Sequence, residues 1–160
     1  MTYIAHYDSP LGSITLTSDG EAITGLCFGE STEYCVSPLS SFHSPLSTCI
    51  RWLDLYFAGC EPDFTPQLIF KGTDFQRRVW RAICEIPYGQ TVTYGDIARS
   101  IGCRSAQAVG GAVGRNPIAI IVPCHRVVGR NGSLTGYAYD IDKKQYLLHL
   151  ESRNRLTVAG

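Results

Sequence analysis

The sequence predicts an α+β fold in two parts. Short segments rich in β-branched and aromatic residues dominate the beginning of the chain, and apolar residues at helical spacing dominate the rest. The 160 residues suffice for one domain of ordinary size or two small ones. With 44% hydrophobic and 18% charged residues the chain can bury a core, which excludes wholesale disorder. No apolar run approaches the ~20 residues of a membrane span, and the start lacks the pattern of a secretory signal.

The net charge of zero conceals two parts of opposite charge. Residues 1–70 contain one cation, Arg51, and eight acids, for a net charge of −7. Residues 71–160 contain thirteen cations and six acids, for a net charge of +7. Ten of these cations are arginines, whose guanidinium groups suit phosphate. The basic part favours a nucleic-acid partner, and the alternative is that the two parts attract each other. We therefore divide the chain into 1–70 and 71–160.

Strand-like segments open the first part, and turn residues separate them. A Ser- and Pro-rich stretch over Ser31–Ser47 predicts a loop. Apolar residues at helical spacing predict a helix over Leu46–Phe57, and Pro62–Lys71 has the composition of an extended linker. The segments expected to form an antiparallel meander are Tyr3–Tyr7, Ser13–Thr17 and Ile23–Phe28.

Helices dominate the second part. Thr73 or Asp74 caps a first helix, which ends before Pro87. A short strand or turn is expected over Gly89–Tyr94. Two helices separated by a turn at Gly102 then give the spacing of a helix-turn-helix. These helices are expected over Tyr94–Ile101 and Ser105–Gly114.

The second helix of this pair has unusually small side chains. Each of its three glycines costs roughly 1 kcal/mol against alanine, so another backbone, of protein or of DNA, must approach closely in compensation. Arg104 and Arg115 bracket the helix as a phosphate clamp would. A helix this slim fits a narrow groove.

The cysteine pattern favours thiols over disulfides. Seven cysteines are an odd number, and without an export signal they indicate a reducing cytoplasm. No Cys-x-x-Cys pair occurs, and the four histidines do not lie at finger-like spacings from the cysteines. We expect no metal site.

One cysteine has a distinctive position. The apolar run Ile118–Val122 predicts a buried strand that leads into Pro123-Cys124-His125-Arg126. A thiolate is a nucleophile, and Arg126 with the imidazole would lower its pKa. A buried cysteine beside a core histidine is the commoner origin of such a dipeptide. Since adjacent residues of a strand point to opposite faces, proton transfer between them needs a water or a turn.

A helix predicted over Ile141–Glu151 follows a Gly-rich loop over Asn131–Tyr137. Glu151 at its end could orient His125 as the third member of a triad does. The simpler alternative is a surface carboxylate.

The most specific motif is Pro123-Cys-His-Arg-Val127, with Asn116-Pro117 before it and Gly136-Tyr137 after it. Gly72-Thr-Asp-Phe-Gln76 and Ala108-Val-Gly-Gly111 extend the pattern. Together these motifs resemble the O6-alkylguanine-DNA alkyltransferases, also called methylated-DNA–protein-cysteine methyltransferases. The resemblance covers nearly the whole chain and is weakest over residues 29–48.

The resemblance implies an N-terminal α/β domain with a small antiparallel sheet, ribonuclease H-like, and a mostly helical C-terminal domain with a winged-helix-like helix-turn-helix. The family docks its second helix in the minor groove of double-stranded DNA and flips the damaged guanine out. The alkyl group of O6-alkylguanine would move irreversibly to Cys124, without a cofactor, and consume one protein molecule. We expect a cytoplasmic monomer with no membrane partner.

The same resemblance implies a role for each site residue. His125 would activate Cys124 through a water, and Glu151 would orient His125. Asn116 would hold the local turn, and Tyr94 would protonate or hydrogen-bond the leaving guanine. The residues expected to bind DNA or the flipped base are Arg104, Ala106, Gln107, Gly110, Arg115, Arg126, Val127, Tyr137 and Ala138.

Two positions depart from the family's pattern. The family often has an arginine where this chain has Gln107, so the side chain that fills the gap left by the flipped base is neutral here. Two glycines usually follow position 138, and here they are replaced by Tyr139-Asp140. We expect a narrower pocket mouth that accepts methyl adducts well and benzyl adducts poorly.

Three other functions remain alternatives. A non-enzymatic, alkyltransferase-like module that binds alkylated DNA would have lost the cysteine. A cysteine hydrolase using Cys124 and His125 would leave the helix-turn-helix and the basic part without a purpose. A transcription factor would not need the buried thiol or the glycine-rich helix.

Overall fold

The computed structural model describes residues 2–29, 45–134 and 141–159, and of residues 154–159 it describes the backbone only. Contacts between Cα atoms divide the chain into two units, Met1–Phe70 and Lys71–Gly160. The α+β class predicted from the sequence is confirmed. The expected loop over Ser31–Ser47 lies mostly outside the described residues.

In its described residues, 2–29 and 45–70, the first unit is a three-stranded antiparallel sheet packed against one helix. Its strands follow chain order; the first two extend slightly beyond the predicted segments, and the third coincides with its prediction. Apolar residues of the sheet, including Leu16 and Leu26, are fully buried with Leu53 and Tyr56 of the helix. The elements are β1 (Tyr3–Ser9), β2 (Gly12–Ser18), β3 (Ile23–Phe28) and α1 (Pro45–Phe57).

Part of the expected linker pairs with the sheet. Leu68 forms a parallel bridge with Ile23. The amide of Ile23 donates to the carbonyl of Gln67 at 2.8 Å, and the amide of Ile69 donates to the carbonyl of Ile23 at 3.0 Å. The end of the first unit is therefore fixed beside β3.

The second unit is mainly helical, and side-chain caps set where its helices begin. Thr73 and Gln76 form a reciprocal capping box at α2 (Asp74–Cys84), as Thr93 and Asp96 do at α3 (Tyr94–Ser100). Ser105 accepts from the amide of Ala108 and so caps α4 (Ala106–Val113). Helices α3 and α4 are the helix-turn-helix that the sequence predicts, within one residue at most ends.

Two further contacts fix the framework around this pair of helices. The indole Nε1 of Trp80 on α2 donates to the buried carbonyl of Ala112 on α4 at 2.9 Å. The short strand β4 (Val92–Thr93) pairs in parallel with β5 (Val127–Val128). Because β5 directly follows the Pro-Cys-His-Arg motif, this pairing ties the motif to the start of α3.

Two sequence predictions about the second unit are wrong. The segment Ile118–Val122 is buried, but after a single bridge residue at Ile118 it is a turn and not a strand, with Ile120 at a φ of 69°. Apolar, β-branched composition indicates burial here without indicating the backbone conformation. The last helix, α5 (Ile141–Ala159), continues well past the predicted end at Glu151.

Candidate active site

Asn116 holds the turn that leads to the cysteine. Its Oδ1 accepts from the amide of Ile118 at 3.0 Å, and its Nδ2 donates to the carbonyl of Val122 at 3.0 Å. One buried side chain thus joins both ends of the turn. Left-handed φ is costly for a β-branched residue, so these bonds help to hold Ile120 in place. The sequence prediction that Asn116 contacts the local turn matches this geometry.

Cys124 begins a short 3₁₀ helix, Cys124–Arg126, and is 3% exposed. Burial raises the pKa of its thiol to about 11, although a hydrogen bond from Asn116 and the nearby charge of Lys144 favour the thiolate. The expectation that Arg126 and the imidazole lower the pKa of this thiol is therefore wrong. At neutral pH the thiol of the free protein is protonated, and its attack on an electrophile requires a base.

His125 and Glu151 form a buried pair in the same unit. The Nε2 of His125 lies 2.6 Å from Oε2 of Glu151, and both side chains are almost completely buried. Burial lowers the pKa of His125 although Glu151 opposes the shift, so the imidazole is a neutral base at pH 7. With Nε2 donating its proton to the carboxylate, Nδ1 carries the lone pair. The simpler alternative, an exposed Glu151, is wrong.

Glu151 is also the acceptor for two further donors. Burial by itself would raise its pKa, but the hydrogen bonds and charges of His125 and Arg126 outweigh burial and lower the pKa to about 2. Arg126 donates from Nε to Oε1 at 2.8 Å, and the amide of Gly89 donates to the same oxygen at 3.1 Å. The carboxylate is therefore ionised throughout the physiological range.

Arg126 was expected at the DNA, and the structure places it elsewhere. It is 8% exposed, bonds Glu151 and donates from its guanidinium to the carbonyl of Ile86 at 2.7 Å. The guanidinium carbon also lies 5.5 Å from the centre of the Tyr88 ring. An arginine with these buried partners anchors Glu151 and is not available to phosphate.

Lys144 is a functional candidate that the sequence reasoning did not single out. This lysine of α5 is fully buried, and its Nζ donates to the carbonyl of Val127 at 2.7 Å. Burial lowers the pKa of Lys144, and a thiolate at Cys124 would oppose the shift. Its position could have been predicted from helical spacing, because Lys144, Leu147 and Glu151 lie at i, i+3 and i+7 and so share one helix face. The carbonyl of Val127, expected near the flipped base, thus already has one donor.

Tyr94 lies at the start of α3 and lines an open groove of about 680 Å³. Burial raises the pKa of its hydroxyl, and a thiolate at Cys124 would raise it further, so the hydroxyl is protonated at neutral pH. A Cβ on Gly110 would lie 3.9 Å from the Tyr94 ring, so that glycine of α4 packs close to it.

The outer face of α4 is small and open, as the sequence predicts. Ala106 and Gln107 are exposed and line the same groove, and a Cβ on Gly111 would meet no atom within 4 Å. Arg104 and Arg115, on either side of the helix, are exposed. The inward residues Val109, Ala112 and Val113 are buried.

Some of the residues expected at the base pocket lie outside the part of the chain that the structure describes. Tyr137, Ala138, Tyr139 and Asp140 are not among the described residues. Within the described part of the chain, no cluster of His, Cys, Asp or Glu has the arrangement of a metal site. None of the described helices is long and apolar enough to cross a membrane.

The second unit thus combines a helix-turn-helix, a motif typical of DNA-binding proteins, with a buried cysteine that is followed by a histidine–carboxylate pair. Models of two domains match the chain. The 6-O-methylguanine DNA methyltransferase, ribonuclease-like domain matches residues 2–69, and the DNA binding domain of the same family matches residues 74–153. The chain belongs to the 6-O-methylguanine DNA methyltransferase family, which confirms the resemblance found in the sequence.

Individual relatives are similar to this chain over nearly their full length. The methylated-DNA–protein-cysteine methyltransferase of Mycobacterium bovis is 47% identical over 154 residues, which cover 91% of this chain and 92% of the relative. The enzyme of the same name from Methanosarcina acetivorans is 47% identical and covers 93% and 97%. The crystal structure of Mycobacterium tuberculosis OGT in complex with DNA has a TM-score of 0.86 at 45% identity, covering 95% of this chain and 94% of that one.

Proposed function

We propose that this protein repairs double-stranded DNA by moving the alkyl group of O6-alkylguanine, mainly methyl, onto Cys124. The single observation that carries the proposal is the buried Cys124 thiol beside the 2.6 Å pair of His125 and Glu151. The second unit, which holds this site, also carries the helix-turn-helix of the DNA-binding family model. Relatives with the methyltransferase name match nearly the whole chain and support the same activity.

The transfer is a displacement at the alkyl carbon. A bond forms between Sγ of Cys124 and that carbon, and the bond between the carbon and O6 of guanine breaks. The thiol proton passes through a bridging water to Nδ1 of His125, and the ionised Glu151 stabilises the resulting imidazolium. The hydroxyl of Tyr94 supplies a proton to the departing guanine and regains one from the imidazolium by way of solvent. The thioether is stable, so each protein molecule reacts once.

The raised thiol pKa explains why the site contains both a base and a cation. A thiol with a pKa of about 11 is ionised in only about one molecule in ten thousand at pH 7. The neutral imidazole removes the proton as attack proceeds, and buried Lys144 stabilises the charge that develops on sulfur. The protonated resting state also protects the thiol from adventitious electrophiles and oxidants.

DNA binding is assigned to the small-residue face of α4. In this proposal Ala106, Gln107 and Gly110 enter the minor groove, and Arg104 and Arg115 contact phosphates on either side. The damaged base turns out of the stack toward Tyr94 through the groove that these residues line. Val127, Tyr137 and Ala138 are proposed to contact the flipped base. We further propose that the protein acts as a monomer in the cytoplasm, a location that its many cysteines support because a reducing compartment keeps thiols free.

The test is single-turnover transfer from a duplex that contains one O6-methylguanine, followed by the intact mass of the protein. We expect a gain of one CH₂ in the wild-type protein and in Cys103→Ser, a matched control that removes another thiol of the same unit. We expect no gain in Cys124→Ser. Binding of the duplex by wild-type protein without any mass gain would instead support the non-enzymatic module.

A further inference from the structure

Besides Tyr94 and Arg99 of α3, two elements of different charge border the groove. Helix α4 contributes Gln107 and Gly110, neither of which carries a charge. The second border is a short 3₁₀ turn, Arg130–Gly132, which contributes Arg130 and Asn131. This turn was expected only as a Gly-rich loop, and the proposed function does not use it.

The backbone of the turn is firmly closed. The amide of Gly129 donates to the carbonyl of Ser133 at 2.7 Å, and the amide of Gly132 donates to the carbonyl of Gly129 at 3.0 Å. Asn131 and Gly132 both have left-handed φ, of 63° and 78°, a conformation that these two residue types tolerate best. The position of Arg130 relative to the groove is therefore set by its backbone.

Arg130 differs from the other cation that lines the groove. Arg99 forms an ion pair with Asp96 one turn earlier on α3, which offsets its charge. Arg130 is exposed and has no ion pair with any residue in the described ranges. A positively charged side chain in this position is suited to a phosphate of the strand whose base enters the groove.

We propose that Arg130 binds a DNA phosphate next to the flipped nucleotide and supplies the positive charge that Gln107 lacks. The inference rests on the proposed function, because it requires the damaged strand to pass over this groove. The closed turn fixes the backbone from which the guanidinium reaches the phosphate. The residue acts on DNA binding and takes no part in the proton transfers at Cys124.

The test compares affinities of charge-matched variants for a duplex with one O6-methylguanine, over a range of salt concentrations. We expect Arg130→Gln to bind about tenfold more weakly near 0.1 M salt. We also expect the slope of log affinity against log salt to become shallower by about 0.9, the value for one lost phosphate contact. Arg130→Lys should retain most of the affinity. The control Arg51→Gln removes one charge from the first unit, outside the DNA-binding family match, and should change neither quantity.

A second variant tests the relation to position 107. If the two positions share one electrostatic task, Gln107→Arg should improve affinity more in the Arg130→Gln background than in the wild type. Equal gains in both backgrounds would show that the positions act independently and would overturn the compensation.

The two levels of proposal fail in different ways. If wild-type protein reacts with the duplex but Arg130→Gln binds it with the affinity and salt slope of Arg51→Gln, the phosphate contact is refuted and the proposed function stands. If wild-type protein never gains the alkyl group, the proposed function itself is refuted. Melting temperatures of the Arg130 variants, expected to equal that of the wild type because Arg130 is exposed, show that their affinities refer to folded protein.

Discussion

Replacing Glu151 by glutamine tests how the buried carboxylate supports both the fold and the thiol. Three donors converge on this side chain: His125 at 2.6 Å, Arg126 at 2.8 Å and the amide of Gly89 at 3.1 Å. Glutamine keeps the shape but offers one acceptor oxygen and no charge. The substitution therefore leaves the buried guanidinium of Arg126 without a counter-ion.

The size of the effect on stability follows from the pKa. The fold lowers the pKa of Glu151 from 4.5 to about 2, which corresponds to about 3 kcal/mol in favour of the folded state when the group is ionised. Because the folded pKa is the lower one, this stabilisation is complete above pH 4.5 and is lost as the pH falls toward 2. We expect Glu151→Gln to lower the free energy of unfolding by about 3 kcal/mol at pH 7. The variant's stability should also depend less on pH below 4.5 than that of the wild type.

The same substitution should slow alkyl transfer. Without the negative charge, the imidazolium formed during transfer loses its nearest stabilising partner, and we expect the single-turnover rate to fall about a hundredfold. Urea unfolding from pH 7 to pH 3 and rapid-quench transfer assays measure the two effects. Glu85→Gln, which neutralises an exposed carboxylate, is the matched control. A Glu151→Gln variant with wild-type pH dependence and a rate within threefold of the wild type would refute the reasoning.

Three further predictions concern other parts of the site. Lys144→Met should make the Cys124 thiol harder to ionise, so the pH–rate profile of transfer should shift to higher pH and the rate at pH 7 should fall about tenfold. The control Lys143→Met should change neither the profile nor the rate, and an unshifted profile in Lys144→Met would show that Lys144 does not act on the thiol. Asn116→Ala should remove both hydrogen bonds across the Ile118–Val122 turn and lower the free energy of unfolding, measured in urea, by about 2–3 kcal/mol. A decrease below 0.5 kcal/mol would show that Asn116 does not hold the turn. The Tyr139-Asp140 sequence should make O6-benzylguanine in DNA react more slowly than O6-methylguanine in parallel single-turnover assays; equal rates would refute the narrow mouth.

Local signals in the sequence located most of the helical unit. Thr73 is followed three residues later by Gln76, and the two residues form the capping box of α2. Ser105 precedes the small-residue helix and caps α4. Capping and turn formation depend on neighbouring residues, so a single sequence contains the necessary information. The strands of the first unit were found for the same reason, through β-branched and aromatic composition and turn residues.

The wrong sequence predictions concern features that tertiary contacts determine. Ile118–Val122 has the composition of a buried strand, but hydrogen bonds from the Asn116 side chain hold it as a turn. Arg126 was expected from the family resemblance to bind DNA or the flipped base, and only the fold shows that Glu151 and the carbonyl of Ile86 enclose it. Burial of Cys124 raises the thiol pKa against the expectation drawn from its charged neighbours in the chain. Desolvation depends on the whole surrounding fold, which a motif does not contain.

The most direct test of the central claim is a titration of the protein with excess O6-methylguanine duplex, followed by mass mapping of its peptides. We expect repaired guanine to reach one equivalent per protein and then stop, with a single CH₂ on the peptide that contains Cys124. Fresh duplex should produce no second round of repair. Repair beyond one equivalent, or a methyl group on any other residue, would contradict the account.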